Sequence, residues 1–213
     1  MQAQKIIDSS TIMSHQKHRY FIINKPYNMV SQFVSPDNVA LLTAIKYNFP
    51  EGTHAIGRLD NHSEGLLILT TNKKVTKLLF ESKEPHKRTY LVQVRDLVTP
   101  EKLLQLQTGV TIRIRGGGDF TTSPCEVQIV EKPIGLYTRE QEFLERLPST
   151  WLLITLTEGK FHQVRKMTDA VRHRCKRLIR ISIENLQLNN LQPGEVKEIE
   201  ENDFFEQLKI NIY

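Results

Sequence analysis

Trp151-Leu152-Leu153-Ile154-Thr155-Leu156 places apolar side chains on both faces of an extended strand, so this strand must lie inside a sheet covered on both sides. Every other element has to be arranged around that requirement. Further strand patterns fall at Tyr20–Asn24, His54–Ile56, Leu66–Thr71, Thr89–Val94, Glu126–Val130 and Leu178–Ile183, several of them rich in β-branched or aromatic residues. A short amphipathic helix is expected over Val75–Ser82, after the polar turn Asn72-Lys73-Lys74. Another starts at Thr99 as N-cap with Pro100 in the first helical position, and stops at Gly109. From His162 to Arg172 the period is again helical, with Val164, Met167 and Val171 forming the buried stripe. Asp203–Leu208 closes the chain as a short helix, and Pro133–Pro148, which has no period, is expected to be a long surface loop. Strands and helices mix without regular βαβ alternation, which predicts an α+β fold with a largely antiparallel sheet.

The chain has 213 residues, 39% hydrophobic and 25% charged, enough for one substantial core. Residues 1–18 are expected to be a flexible polar tail, and residues 19–213 the folded domain. No apolar run approaches the roughly 18 residues that span a membrane, and nothing resembles a signal peptide. The expectation is a cytoplasmic protein without membrane contact. Cys125 and Cys175 match no zinc or redox spacing and are expected to be reduced thiols. The net charge is +5, but Lys160–Arg180 alone holds eight Lys or Arg against Asp169, a local +7 on a body of −2. So few compensating acids favour a polyanion partner over an ordinary solvated face.

Two stretches concentrate residues able to do chemistry. Gly57-Arg58-Leu59-Asp60-Asn61-His62-Ser63-Glu64-Gly65 lies between two apolar strands, and its glycines permit tight turns and close approach of a ligand. Glu158-Gly159-Lys160-Phe161-His162-Gln163-Val164-Arg165-Lys166-Met167 leaves a strand end and enters the basic helix, where backbone amides favour anions. Taken singly, each is compatible with a charged hairpin loop or with ordinary helix capping.

Taken together, the two stretches resemble the signature motifs of the pseudouridine synthases that modify ribosomal RNA. Asn24-Lys25-Pro26 resembles the opening lysine-proline motif, Lys87-Arg88-Thr89-Tyr90 the tyrosine strand, and Leu178-Ile179-Arg180 the late leucine-arginine motif. All five occur in the family's order and cover about residues 20–200. Pro148-Ser149-Thr150-Trp151 is similar to a subgroup acting on large-subunit rRNA. Only about 20 residues precede the first strand, too few for the S4-type RNA-binding domain many relatives carry. Glu184 stands where relatives usually have glycine, and Phe161-His162 varies from the subgroup.

The resemblance implies a pseudouridine synthase catalytic fold: a largely antiparallel mixed sheet with flanking helices and a central cleft. It implies isomerisation of a specific uridine in large-subunit rRNA, with Asp60 as catalytic carboxylate, Arg165 pairing with and orienting it, and Tyr90 against the target base. Lys25, Arg58, Lys160, His162, Gln163, Lys166 and Arg180 would contact RNA, with Lys25 and the basic helix gripping phosphates. No atoms are gained and no redox change occurs, so no cofactor or metal is implied; the partner is rRNA and the expected state a monomer. A non-catalytic RNA-binding or ribosome-assembly protein on the same fold would lack the aspartate, tyrosine or arginine, and all three are present. A glycoside hydrolase would use Asp60 and Glu64 as its two carboxylates.

Overall fold

A computed structural model describes residues 17–81, 85–139 and 147–211. Ser82 at the end of the first expected helix, part of the 133–148 loop, and all of the expected tail except Lys17 and His18 lie outside those residues. The described strands are β1 (Tyr20–Lys25), β2 (His54–Ile56), β3 (Glu64–Thr70), β4 (Arg88–Arg95), β5 (Thr111–Arg113), β6 (Asp119–Thr121), β7 (Glu126–Val130), β8 (Ser149–Leu156), β9 (Cys175–Ile183), β10 (Leu186–Gln187) and β11 (Val196–Ile199). The helices are α1 (Lys74–Phe80), α2 (Pro100–Thr108), α3 (Gln163–Ala170) and α4 (Glu201–Gln207).

The main sheet runs β11-β1-β3-β9-β4-β8-β7, with β10 paired to β9 and β2 to β3. Its pairs are antiparallel except β3 with β9, which meet through Glu64 opposite Ile179 and Gly65 opposite Arg180. The strand with the Trp151–Leu156 run, β8, is flanked by β4 and β7 and lies one place from the edge. It still has both faces covered, because Trp151 packs in one core cluster and Leu152, Ile154 and Leu156 in another.

Alternation along the strands sorts the core. Tyr20, Ile22, Leu66, Ile68, Leu91 and Ile179 join α1 and α4 on one face. Their neighbours point the other way, where the cover comes in two pieces. Phe21, Ile23, Leu67 and Leu69 pack under Met29, Leu42 and Ile45. Val92, Leu152 and Leu178 pack under α2 and α3, through Leu106, Val164 and Met167. Tyr90 packs against both pieces, and the seam it bridges is the cleft.

Local chemistry explains the element ends. Thr99 Oγ1 accepts a hydrogen bond from the Lys102 backbone N–H, capping α2, and Gly109 ends that helix. Val164, Met167 and Val171 are buried, as their spacing predicts. Glu184 adopts φ +49, a left-handed backbone that glycine accepts freely and glutamate adopts at about 1 kcal/mol. Its carboxylate accepts from the Lys87 backbone N–H at 2.5 Å and Lys209 Nζ at 2.8 Å, which offsets that penalty.

The basic segment is not one surface patch. Arg177 is 0% and Arg180 4% exposed, while Lys160, Arg172 and Arg174 face solvent. The +7 is divided between interior and surface because β9 carries Arg177 and Arg180 into the two faces of the sheet.

Candidate active site

The β2–β3 loop is fastened from three directions. Ser31 Oγ donates to the Leu59 carbonyl at 3.0 Å and accepts from the Leu59 N–H at 2.9 Å. Arg165 Nη2 donates to the His62 carbonyl at 2.7 Å and to Ser63 Oγ at 3.2 Å. Lys25 Nζ reaches the carbonyls of Met29 at 2.5 Å, Pro26 at 2.9 Å and Asn61 at 3.4 Å. Gly65 closes the loop at φ +100; a Cβ there would stand 2.3 Å from the Arg180 carbonyl, so any side chain would push β3 off β9.

Held this way, Asp60 lines a cleft of about 450 Å³ together with Arg58, Tyr90, Leu156, Lys160, His162, Gln163, Leu178 and Arg180. Asp60 is partly exposed; Arg165 Nε lies 4.0 Å from its Oδ2, and His162 Nε2 3.4 Å from its Oδ1. His162 takes φ +56 as it enters α3, and its ring stacks on Phe161 at 3.9 Å. Tyr90 lies across the β4–β9 ladder from Arg180, beside a β-bulge between Thr89 and Tyr90. The expected Asp60 and Tyr90 therefore line one cleft, from a loop and a strand, and Arg165 of α3 stands beside Asp60.

The expected RNA contacts divide. Arg58 and Lys160 are exposed at the cleft. Lys166 Nζ donates to the Arg113 carbonyl at 2.6 Å, and Lys160 Nζ lies 4.6 Å from the Phe120 ring. Both lysines thus tether the β5–β6 hairpin, whose tip brings Arg115 to the cleft. Gln163 is buried; it accepts from the Lys160 backbone N–H at 2.7 Å and donates to Glu158 at 2.6 Å, shaping the turn from within. Lys25 corrects the phosphate-grip expectation: it is 0% exposed and its ammonium is committed to three carbonyls. Burial pulls its pKa down to about 8. Arg180 likewise lies at the cleft floor and not at the rim.

Glu64, the second carboxylate of the hydrolase alternative, is 0% exposed and faces away from the cleft. It accepts from Arg177 Nε and Nη2 at 3.1 Å and from Tyr137 Oη at 2.8 Å, with Arg139 Nη1 at 3.5 Å. That geometry removes it from any glycosidic chemistry beside Asp60. Sequence reasoning missed this cluster and the β5–β6 hairpin. Tyr137 and Arg139 sit in a stretch without periodicity, and the hairpin strands are three residues each.

Residues 19–170 match the family described as RNA pseudouridylate synthase. The chain belongs to that family. It is a pseudouridine synthase, an isomerase. Among curated relatives, ribosomal large subunit pseudouridine synthase E of Vibrio vulnificus is 36% identical, over 90% of this chain and 79% of that protein. The protein of the same name from Xanthomonas axonopodis pv. citri is 34% identical, over 81% and 89%. A crystal structure of a pseudouridylate synthase superposes with TM-score 0.71 at 25% identity, covering 90% of this chain and 74% of that one. The synthase has a mixed sheet with only one parallel pair among its described strands, and no described helix is long and apolar enough to cross a membrane.

Proposed function

We propose that this synthase converts one uridine of large-subunit rRNA to pseudouridine, with Asp60 as the catalytic carboxylate. The observation carrying this reading is Asp60 on a braced loop in the cleft, 4.0 Å from Arg165 and sharing that cleft with Tyr90. The names of the two synthase E relatives support the choice of RNA.

A uridine stacked in a duplex is out of reach of such a cleft, so it flips out at a cost of a few kcal/mol. Its base then occupies the slot beside Tyr90, Leu156 and Leu178, with C1′ at Asp60. Asp60 either bonds to C1′ or takes the C2′ proton, and Arg165 holds it aimed while also fixing the His62–Ser63 backbone. Exposed Arg58, Lys160 and Arg115 meet the flanking phosphates. The reading places the enzyme in the cytoplasm with its rRNA.

Incubating the protein with large-subunit rRNA transcripts and mapping pseudouridine tests this. One modified uridine is expected with the native sequence and none with Asp60→Asn. Product from Asp60→Asn at a comparable rate would remove Asp60 from the mechanism.

A further inference from the structure

Arg180 is a cation that the fold buries without giving it a counter-ion. It is 4% exposed; Nε donates to the Leu66 carbonyl at 2.8 Å, and Nη2 has no hydrogen-bond partner. Burial pulls its pKa down and the neighbouring Arg88 adds like charge; against these act a side-chain hydrogen bond with Tyr90 and the Asp60 carboxylate across the same cleft. A guanidinium in this state is destabilising unless something in the cleft compensates it. Its immediate surroundings are the Tyr90 ring, its cross-strand neighbour, and Leu178, two residues earlier on the same face of β9. Leu156 completes the slot. Walls of this kind admit a flat base and exclude a hydrated phosphate, for which the exposed rim cations are better placed.

We infer that Arg180 is a further catalytic residue, which stabilises the uracil anion released when the C1′–N1 bond breaks. This rests on the uridine-isomerising reading above. When the bond breaks, both electrons leave with N1, and negative charge spreads over N1, O2 and O4 of the base. Asp60 loses its own charge in the same step, by bonding to C1′ or by taking the C2′ proton. Charge therefore moves from one side of the cleft to the other: Arg165 stands beside its origin and Arg180 beside its destination. The base turns, C5 bonds to C1′, and Asp60 regains its charge. The C5 proton is finally exchanged for one on N1. A preset buried cation acts strongly on charge that appears only during reaction, because no water has to reorganise.

The test uses a large-subunit rRNA fragment containing the uridine that the native protein modifies, and a second copy with 5-fluorouridine at that position. Fluorine withdraws electrons, so the departing anion needs less help. Single-turnover cleavage of C1′–N1 is followed for the native protein, Arg180→Met and Arg180→Lys, with melting temperatures and RNA Kd at several salt concentrations. Arg180→Met should slow the uridine reaction by about 10²–10³-fold. The defect should be several-fold smaller on 5-fluorouridine, Arg180→Lys should recover part of the rate, and the salt slope of Kd should not change. If Arg180→Met does not fold, Arg180→Lys carries the same comparison. An equal defect on both substrates would reduce Arg180 to a packing role. Intact chemistry with a salt slope lowered by about 0.7 would make it a phosphate contact. Absence of product from the native protein would overturn the uridine reading itself, an outcome distinct from either.

Discussion

Lys25 shows how far a residue's role can depart from its charge. Its ammonium bridges three carbonyls, one of them next to Asp60, so it acts as a brace between β1 and the β2–β3 loop. Lys25→Met strands those carbonyls and should cost about 2–4 kcal/mol in a denaturant titration, with turnover falling as the loop loosens. The proton linkage has a defined sign. Its folded pKa of about 8 lies below the unfolded 10.5, so between those values the unfolded chain holds more protons than the native one. The penalty is complete below about pH 8 and disappears as pH rises to 10.5, a gain of about 3 kcal/mol. Subtracting the pH–stability curve of Lys25→Met from that of the native protein isolates it; a flat difference would contradict the burial argument. Asp60 and Arg165 form the second residue-scale case. Arg165→Met should lower single-turnover chemistry by about 10²-fold or more, since Asp60 loses its neighbouring cation and the His62 carbonyl its donor. If RNA affinity alone fell, Arg165 would be a phosphate contact.

At the scale of elements, the junction of β3 and β9 organises the site. Its two faces carry different arginines: Arg177 pairs with Glu64 beneath the sheet, and Arg180 enters the cleft above it. The Glu64–Arg177 pair is fully buried, so removing one side chain takes from the other its nearest opposite charge. Glu64→Met and Arg177→Met should each cost about 3–5 kcal/mol by chemical denaturation, and the double change less than their sum. Additive losses would mean the two side chains do not depend on each other. The sequence announced elements whose signals are local, such as α2 with Thr99, Pro100 and Gly109, or α3 with its 164/167/171 stripe. It did not announce the β5–β6 hairpin, because three-residue strands with a Gly116-Gly117-Gly118 tip carry almost no periodicity.

At the scale of the whole molecule, substrate choice depends on where the exposed cations lie. The exposed cations Arg58, Lys160 and Arg115 at the cleft rim and the β5–β6 hairpin offer RNA an electrostatic grip. Phosphate contacts of that kind supply no sequence information and weaken steeply with salt. Specificity is therefore expected from the shape of a local stem-loop that presents one uridine. On separate large-subunit, small-subunit and tRNA transcripts at near-physiological salt, pseudouridine should appear in the large-subunit RNA alone. Modification confined to tRNA or small-subunit RNA would leave the enzyme class standing and overturn the substrate.

By itself the sequence determined the α+β class, the strands with apolar residues on both faces, and the polar loop and helix start that hold Asp60 and Arg165. Those follow from period, caps and motif spacing, which are local properties of the chain. Only the tertiary structure decided which charges meet solvent. Lys25, Arg177 and Arg180 are indistinguishable from surface cations in the one-dimensional charge count, yet all three are buried. The physical reason is that burial depends on what the other strands and the 133–139 loop lay against each side chain. Strand parity then decides that Glu64 faces away from the cleft while Arg180, across the junction from Gly65, faces into it.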